Sequence, residues 1–316
     1  MKNFWQQLKD KKGGEMILAL APLAGFTDSA FRLLCKEYGA DVVYSEMASV
    51  SALTYKSEKT RELLKFDKKE RPYVVQLFGS KPEHFVEAIK VIEKELKPDG
   101  FDINFGCPVK KVLKQEAGAK LMGNLDLSRK IIIAVLQSTK LPISIKVRTE
   151  AFSVNLIDFL KNISDLKVSA LMIHGRSLKQ LFSGPINKEI IKESRKYFSG
   201  VILANGGVNS LAEAQELYLE TGVDGVALGR GALGQPWIFS LAGQNLSPQE
   251  RKDKAIATAL RHLDLTLKNK GEISYNEFKG HLAWYLKGFP GASTLRAKIM
   301  PSKSYQEIKK ILQDKN

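Results

Sequence analysis

Short apolar runs recur along the first three quarters of the chain, each bounded by polar or glycine-containing segments. Eight of them, at residues 16–20, 41–45, 73–77, 101–104, 142–147, 170–174, 201–204 and 224–228, have the length and continuous apolarity of strands buried on both faces. Most of the intervals are long enough for a helix. Thr27-Asp28 reads as a helix start ahead of Phe31-Arg32-Leu33-Leu34, and Ser80-Lys81-Pro82-Glu83 as a capping box ahead of residues 85–92. Gly39 stands where a left-handed glycine closes the first of these helices. Eight such units within residues 1–240 match the size and rhythm of a TIM (β/α)8 barrel. An open doubly wound sheet has fewer strands and a glycine-rich first turn, whereas the first strand here runs into Ala21-Pro22-Leu23-Ala24-Gly25. The expected fold class is therefore α/β, a TIM barrel in residues 1–240 followed by a small all-helical C-terminal domain in residues 241–316.

The tail departs from strand patterning after Phe239. Ser247-Pro248-Gln249-Glu250 is a second capping box, and Leu260, Leu263, Leu265 and Leu267 fall in the helix that it starts. Phe278, Leu282, Trp284 and Leu286 mark another helix, and Ser304-Tyr305-Gln306-Glu307 starts a last one. This quarter carries 14 Lys or Arg against 7 Asp or Glu, so it holds +7 of a net +15. Clustered positive charge on a small helical unit points to docking of a polyanion, nucleic acid first; the alternative is a solvated basic face.

Composition narrows the class further. With 44% apolar and 26% charged residues, the chain is an ordinary globular protein rather than a disordered or fibrous one. Cys35 lies in an apolar helical stretch and reads as a packing thiol, and Cys107 stands alone, so neither a disulfide framework nor a metal-ligating set is expected. Residues 1–14 are polar and Lys-rich, unlike a signal peptide, and no run approaches the roughly 18 apolar residues of a membrane span. A cytoplasmic protein without membrane or metal partners, acting as a monomer, is the expectation.

In a TIM barrel the chemistry gathers at the C-terminal ends of the strands. Here nearly all of those ends are polar: Glu46, Gln76, Asn104, Lys146, His174, Asn205 and Arg230 each close an apolar run. Alternation in Ile143-Ser144-Ile145-Lys146 turns Ser144 and Lys146 to one face, where the lysine can stabilise an anionic ring such as the N1–C2=O2 edge of a reduced flavin. A structural ion pair is the other use of Lys146. His174 reads as a cofactor contact, or else as a satisfied core histidine. Asn205-Gly206-Gly207 and Gly229-Arg230-Gly231 are glycine turns after the last two strands, suited to backbone approach to a phosphate, whether of FMN or of a sugar phosphate. Cys107, between Gly106 and Pro108 and shortly before Lys110-Lys111, is expected to be an exposed, reactive thiol in positive potential, with Gly118–Leu121 shaping the same wall.

With these residues in place, the chain resembles the tRNA-dihydrouridine synthases, and most of all their bacterial B-type subgroup. The likeness rests on residues 21–28 (APLAGFTD), Ser45-Glu46-Met47, residues 103–112 (INFGCPVKKV), His174-Gly175-Arg176, residues 229–239 (GRGALGQPWIF) and residues 281–288 (HLAWYLKG). It runs from about residue 16 to about residue 300. It implies an FMN-dependent oxidoreductase that uses NADPH or NADH to reduce uridines of the tRNA D-loop. By position, Pro22, Leu23 and Ala24 would line the flavin ring, and Gln76 and Lys146 would meet its polar edge. His174 would lie near the phosphate, with Asn205, Gly206, Gly207, Gly229 and Arg230 holding it. Asn104 and Arg176 would contact the uridine, and Cys107 would protonate C5. Two positions depart from the family pattern: Gly207, where an acidic residue is frequent, and Glu150, where a glycine is frequent. The competing expectations are an FMN enzyme acting on a free pyrimidine, which leaves the basic tail without a role, and a non-catalytic RNA-binding barrel.

Overall fold

The computed structural model describes residues 2–241, 245–271 and 275–314. All eight expected strands form: β1 (Ile17–Leu20), β2 (Val42–Tyr44), β3 (Tyr73–Phe78), β4 (Gly100–Asn104), β5 (Ile143–Arg148), β6 (Ala170–His174), β7 (Val201–Asn205) and β8 (Gly225–Leu228). Each pairs in parallel with its neighbours, and β8 returns to β1, so the sheet closes on itself and leaves no edge. Period two divides the strand residues. Ala19, Tyr44, Val74, Met172, Leu203 and Ala227 turn inward, while Leu20, Val43, Val75, Ile145, Ile173 and Ile202 face the surrounding helices.

The base of the barrel is plugged by a helix that the sequence pattern did not reveal, Phe4–Lys12. Only Phe4, Trp5 and Leu8 are apolar in it, yet Trp5 is fully buried among the inward residues, 6.4 Å from the Tyr44 ring. Asn3 caps this helix and also donates to Ser169 Oγ at 3.1 Å.

Asp28 caps the helix Ser29–Glu37 as expected, accepting from the Phe31 amide, and Gly39 follows it at φ +108°. Cys35 is buried in that helix. The capping box at Ser80 does not form. Lys81, held extended by the proline after it, is the N-cap residue of Pro82–Glu95 and makes no side-chain bond. Glu150 opens a two-residue strand paired with Val154–Asn155 across a turn at Phe152 and Ser153.

The regular elements among the described residues of the tail are all helices: Pro248–Lys270, Tyr275–Tyr285, an unexpected Ala292–Ile299, and Tyr305–Gln313. The Ser247–Glu250 capping box forms. These helices share a core of their own, built on Leu263, Phe278, Leu282 and Ile308 and joined by Trp237 from the barrel. Leu265 packs on Ala30, Leu33 and Leu34 of the barrel helix. At this seam Asp28 meets His262 and His281, a grouping invisible in the sequence, with side-chain donor atoms within 4.8 Å of one another. Lys270 Nζ lies 3.2 Å from Asp28 Oδ2 and supplies the balancing charge. Among the described residues no helix is long and apolar enough to cross a membrane.

Candidate active site at the barrel mouth

Strand register sets the site. Gln76 lies level with Asp102, Asn104 with Lys146, and His174 with Asn205 across adjacent strands. Parallel pairing therefore sets these inward side chains on successive levels toward the C-terminal ends of β3 to β7. All but the fully buried Asp102 open into a cavity of about 610 Å³ that also takes in Pro22, Leu23, Ala24, Cys107, Arg176, Gly206, Gly207, Gly229 and Arg230. Each residue assigned above to flavin, uridine or proton transfer is on its wall, whereas Glu46 and residues 118–121, also expected there, are not.

Two hydrogen-bond chains fix the polar groups. In the first, Ser144 Oγ donates to Asp102 Oδ1 at 2.6 Å, and Asp102 Oδ2 accepts from Gln76 Nε2 at 2.7 Å. Gln76 Oε1 then accepts from Asn104 Nδ2 at 2.9 Å, and Asn104 Oδ1 accepts from the Cys107 amide at 2.9 Å and the Gly106 amide at 3.1 Å. Asn104 thus has no free acceptor, and its second N–H donates to Met47 Sδ at 3.6 Å, the one bond that a ligand could take over. In the second chain, Asn205 Nδ2 donates to the Ala227 carbonyl, so its Oδ1 accepts from Lys146 Nζ at 3.2 Å and His174 Nδ1 at 3.1 Å. That places the imidazole proton on Nδ1 and leaves His174 Nε2 buried without a partner.

The expectation of an exposed Cys107 is corrected: its side chain is only 9% accessible. The chain folds back over it, with the Ala119 amide donating to the Cys107 carbonyl at 3.0 Å and Val112 and Ala117 packed alongside. Gly118, at φ +62°, permits this, since a Cβ there would stand 2.8 Å from the Cys107 carbonyl oxygen. Burial pushes the thiol pKa up, so the group holds its proton at neutral pH.

A model of the dihydrouridine synthase family (Dus) matches residues 19–316. This chain belongs to the dihydrouridine synthase family. A probable tRNA-dihydrouridine synthase of Aquifex aeolicus is 34% identical over 307 residues, covering 96% of each chain. A tRNA-dihydrouridine synthase B of Pseudomonas aeruginosa is 34% identical over 291 residues, covering 89% of this chain and 87% of that one. A probable tRNA-dihydrouridine synthase 1 of Synechocystis is 30% identical over 301 residues, covering 92% and 84%.

In this dihydrouridine synthase the cavity is strongly cationic. Burial lowers the Lys146 pKa to about 8, assisted by the neighbouring Arg148. Burial also lowers His174 to about 3, with Lys146 and Arg148 adding repulsion. Asp102, beneath them, is raised to about 6 by burial. Arg176 donates through Nε to the Gly184 carbonyl at 2.7 Å, while its buried Nη1 has no partner. Arg230 is exposed at the rim, 4.6 Å above the Phe182 ring.

Sequence reasoning missed Arg148, Phe182, Phe26, Met47 and Trp284, all on the cavity wall. Arg148 was within reach, because it follows Lys146 by two residues on the same strand. It binds the Gly106 carbonyl through Nε at 2.7 Å, and the Ser177 and Leu181 carbonyls through Nη1 at 3.0 Å, tying the Cys107 loop to the loop after β6. Trp284 arrives from the helical tail and had no local signal.

Proposed function

We propose that the protein reduces the C5=C6 bond of uridines in the tRNA D-loop to 5,6-dihydrouridine, with bound FMN as redox cofactor and NADPH or NADH as reductant. The observation that carries this reading is the placement of a protonated, nearly buried Cys107 on the same cavity as a partner-poor cationic cradle.

The residues fit a flavin mononucleotide. Gly206 and Gly207, at φ +114° and +74°, leave their backbone open, and a Cβ at Gly206 would stand 3.2 Å from His174 Cε1. Those two glycines, Gly229 and Arg230 would hold the phosphate, and the unpartnered His174 Nε2, an acceptor in this tautomer, suits a ribityl hydroxyl. Pro22, Leu23 and Ala24 would support the ring, with Gln76 and Lys146 at its polar edge. When bound, the reduced flavin supplies hydride to C6 of the base.

The protein's own groups do the rest. Asn104, anchored from below by Gln76 and Asp102, turns its second N–H from Met47 to the base, and Arg176, whose Nη1 has no partner in the protein, contacts the substrate. As C6 accepts hydride, the π electrons move toward C5 and O4, and Cys107 Sγ–H gives its proton to C5. Solvent then reprotonates the thiolate. The basic helical tail docks the tRNA, which offsets the few kcal/mol needed to draw the base from its stack.

The test is direct. Purified, flavin-loaded protein incubated with NADPH and unmodified tRNA should add two hydrogens to uridine, read by mass spectrometry of the nucleosides. Reduction of free pyrimidines with no change in tRNA would reject the reading.

A further inference from the structure

One wall of the cavity has no part in the chemistry outlined above. Trp284 projects from the helix Tyr275–Tyr285 to the barrel mouth and is half-buried there. Phe26, from the loop after β1, stands edge-on to it, with ring centroids 6.3 Å apart at 88°. The pair is held from two sides. Gly234, at φ +72°, brings the barrel backbone so close that a Cβ there would lie 2.2 Å from the Trp284 carbonyl oxygen. Within the same helix, one turn before the indole, His281 packs edge-on against Phe26 at 5.3 Å. Over the ring, the exposed Lys287 holds its ammonium 5.2 Å from the indole centroid.

An immobilised aromatic ring with an exposed cation over it, opening on a reaction cavity, is an arrangement with which proteins hold unpaired nucleotides. The ring stacks a base of any identity, and the cation meets the backbone phosphate. The groups that would meet the flavin's polar edge and the uridine rise from β3 to β7, whereas Trp284 enters the same cavity from the helical tail, beside Phe26. We propose that Trp284, backed by Phe26 and flanked by Lys287, is a stacking subsite for the nucleotide adjoining the uridine that is reduced. The helical tail then contributes to the site as well as to docking. When the target uridine leaves its stack, its neighbour loses a stacking partner, and the indole replaces it. The inference rests on the RNA substrate proposed above.

Affinity for tRNA, measured by filter retention on flavin-loaded wild type and the variants Trp284→Ala and Trp284→Phe, separates the possibilities. Flavin content, read from visible absorbance, reports that fold and cofactor site stand. The subsite predicts binding weakened on the order of tenfold in Trp284→Ala and restored to within about threefold in Trp284→Phe. Equal affinity of wild type and Trp284→Ala overturns the subsite alone. Loss of flavin from a folded Trp284→Ala overturns it too, by making the indole part of the cofactor wall. Absence of tRNA binding in wild type overturns the subsite together with the substrate assignment.

Discussion

The barrel mouth and the seam beneath the helical tail are both buried polar clusters, and they differ in charge balance. At the seam, burial opposes ionisation of Asp28, but its neighbours His262, His281 and Lys270 hold its pKa well below the ordinary carboxylate range. One carboxylate meets one lysine, and His262 Nδ1 is joined to Tyr285 Oη at 3.1 Å. At the mouth, Lys146, Arg148, Arg176 and Arg230 face a cavity whose nearest buried carboxylate, Asp102, is itself driven toward neutrality. A balanced cluster joins two layers of structure. An unbalanced one costs stability and persists because an anion completes it.

The largest expected effect that separates the two is at Lys146. Lys146→Met should abolish most flavin retention and turnover, by about 100-fold or more, while thermal stability holds or rises because a buried cation is removed. A fall in melting temperature with flavin retained would erase the contrast. Asp28→Ala should do the reverse. It removes a helix cap and one of the two carboxylates that Lys270 meets, Glu277 being the other, costing about 2 kcal/mol in urea unfolding, with flavin still bound to the folded fraction.

Acid should separate the clusters next. Burial, and then the charge of His262, puts His281 at about 3 in the fold against 6.5 unfolded, so the unfolded chain takes up the proton first and stability falls as pH drops below about 6.5. His174 acts with the same sign. Asp102 acts against them: it ionises near 3.8 unfolded but near 6 in the fold, so its destabilising burial is relieved as pH falls from 6. Asp102→Asn should therefore steepen acid destabilisation between pH 6 and 4, by at most about 1.4 kcal/mol per pH unit. Urea unfolding at those pH values checks it, and an unchanged slope would mean that Asp102 does not protonate in the fold. The smallest effect is at Gly206, where an alanine at φ +114° should cost about 1 kcal/mol and weaken flavin retention a few-fold.

The two clusters also differ in how far the sequence reveals them. The mouth is legible where its polar residues end apolar strand runs, because strand closure brings those ends together. Lys146, His174 and Asn205 could be named one by one before their contacts were known. The seam is not legible: Asp28 and His281 are joined only after the tail folds back on the barrel, and no local pattern links them. The Phe4–Lys12 plug escaped for a related reason, since three apolar residues among lysines and glutamines carry no strong periodicity. Cys107 was found by its glycine-proline setting, but its burial depends on the later turn at Gly118.

The central claim is that Cys107 gives the proton while the cationic cradle holds the flavin. Its most direct test is anaerobic reoxidation of pre-reduced enzyme by tRNA, followed through flavin absorbance in wild type and Cys107→Ala. The account predicts equal flavin content, equal tRNA affinity and reoxidation slower by about 100-fold or more in the variant. Reoxidation at the wild-type rate would contradict it.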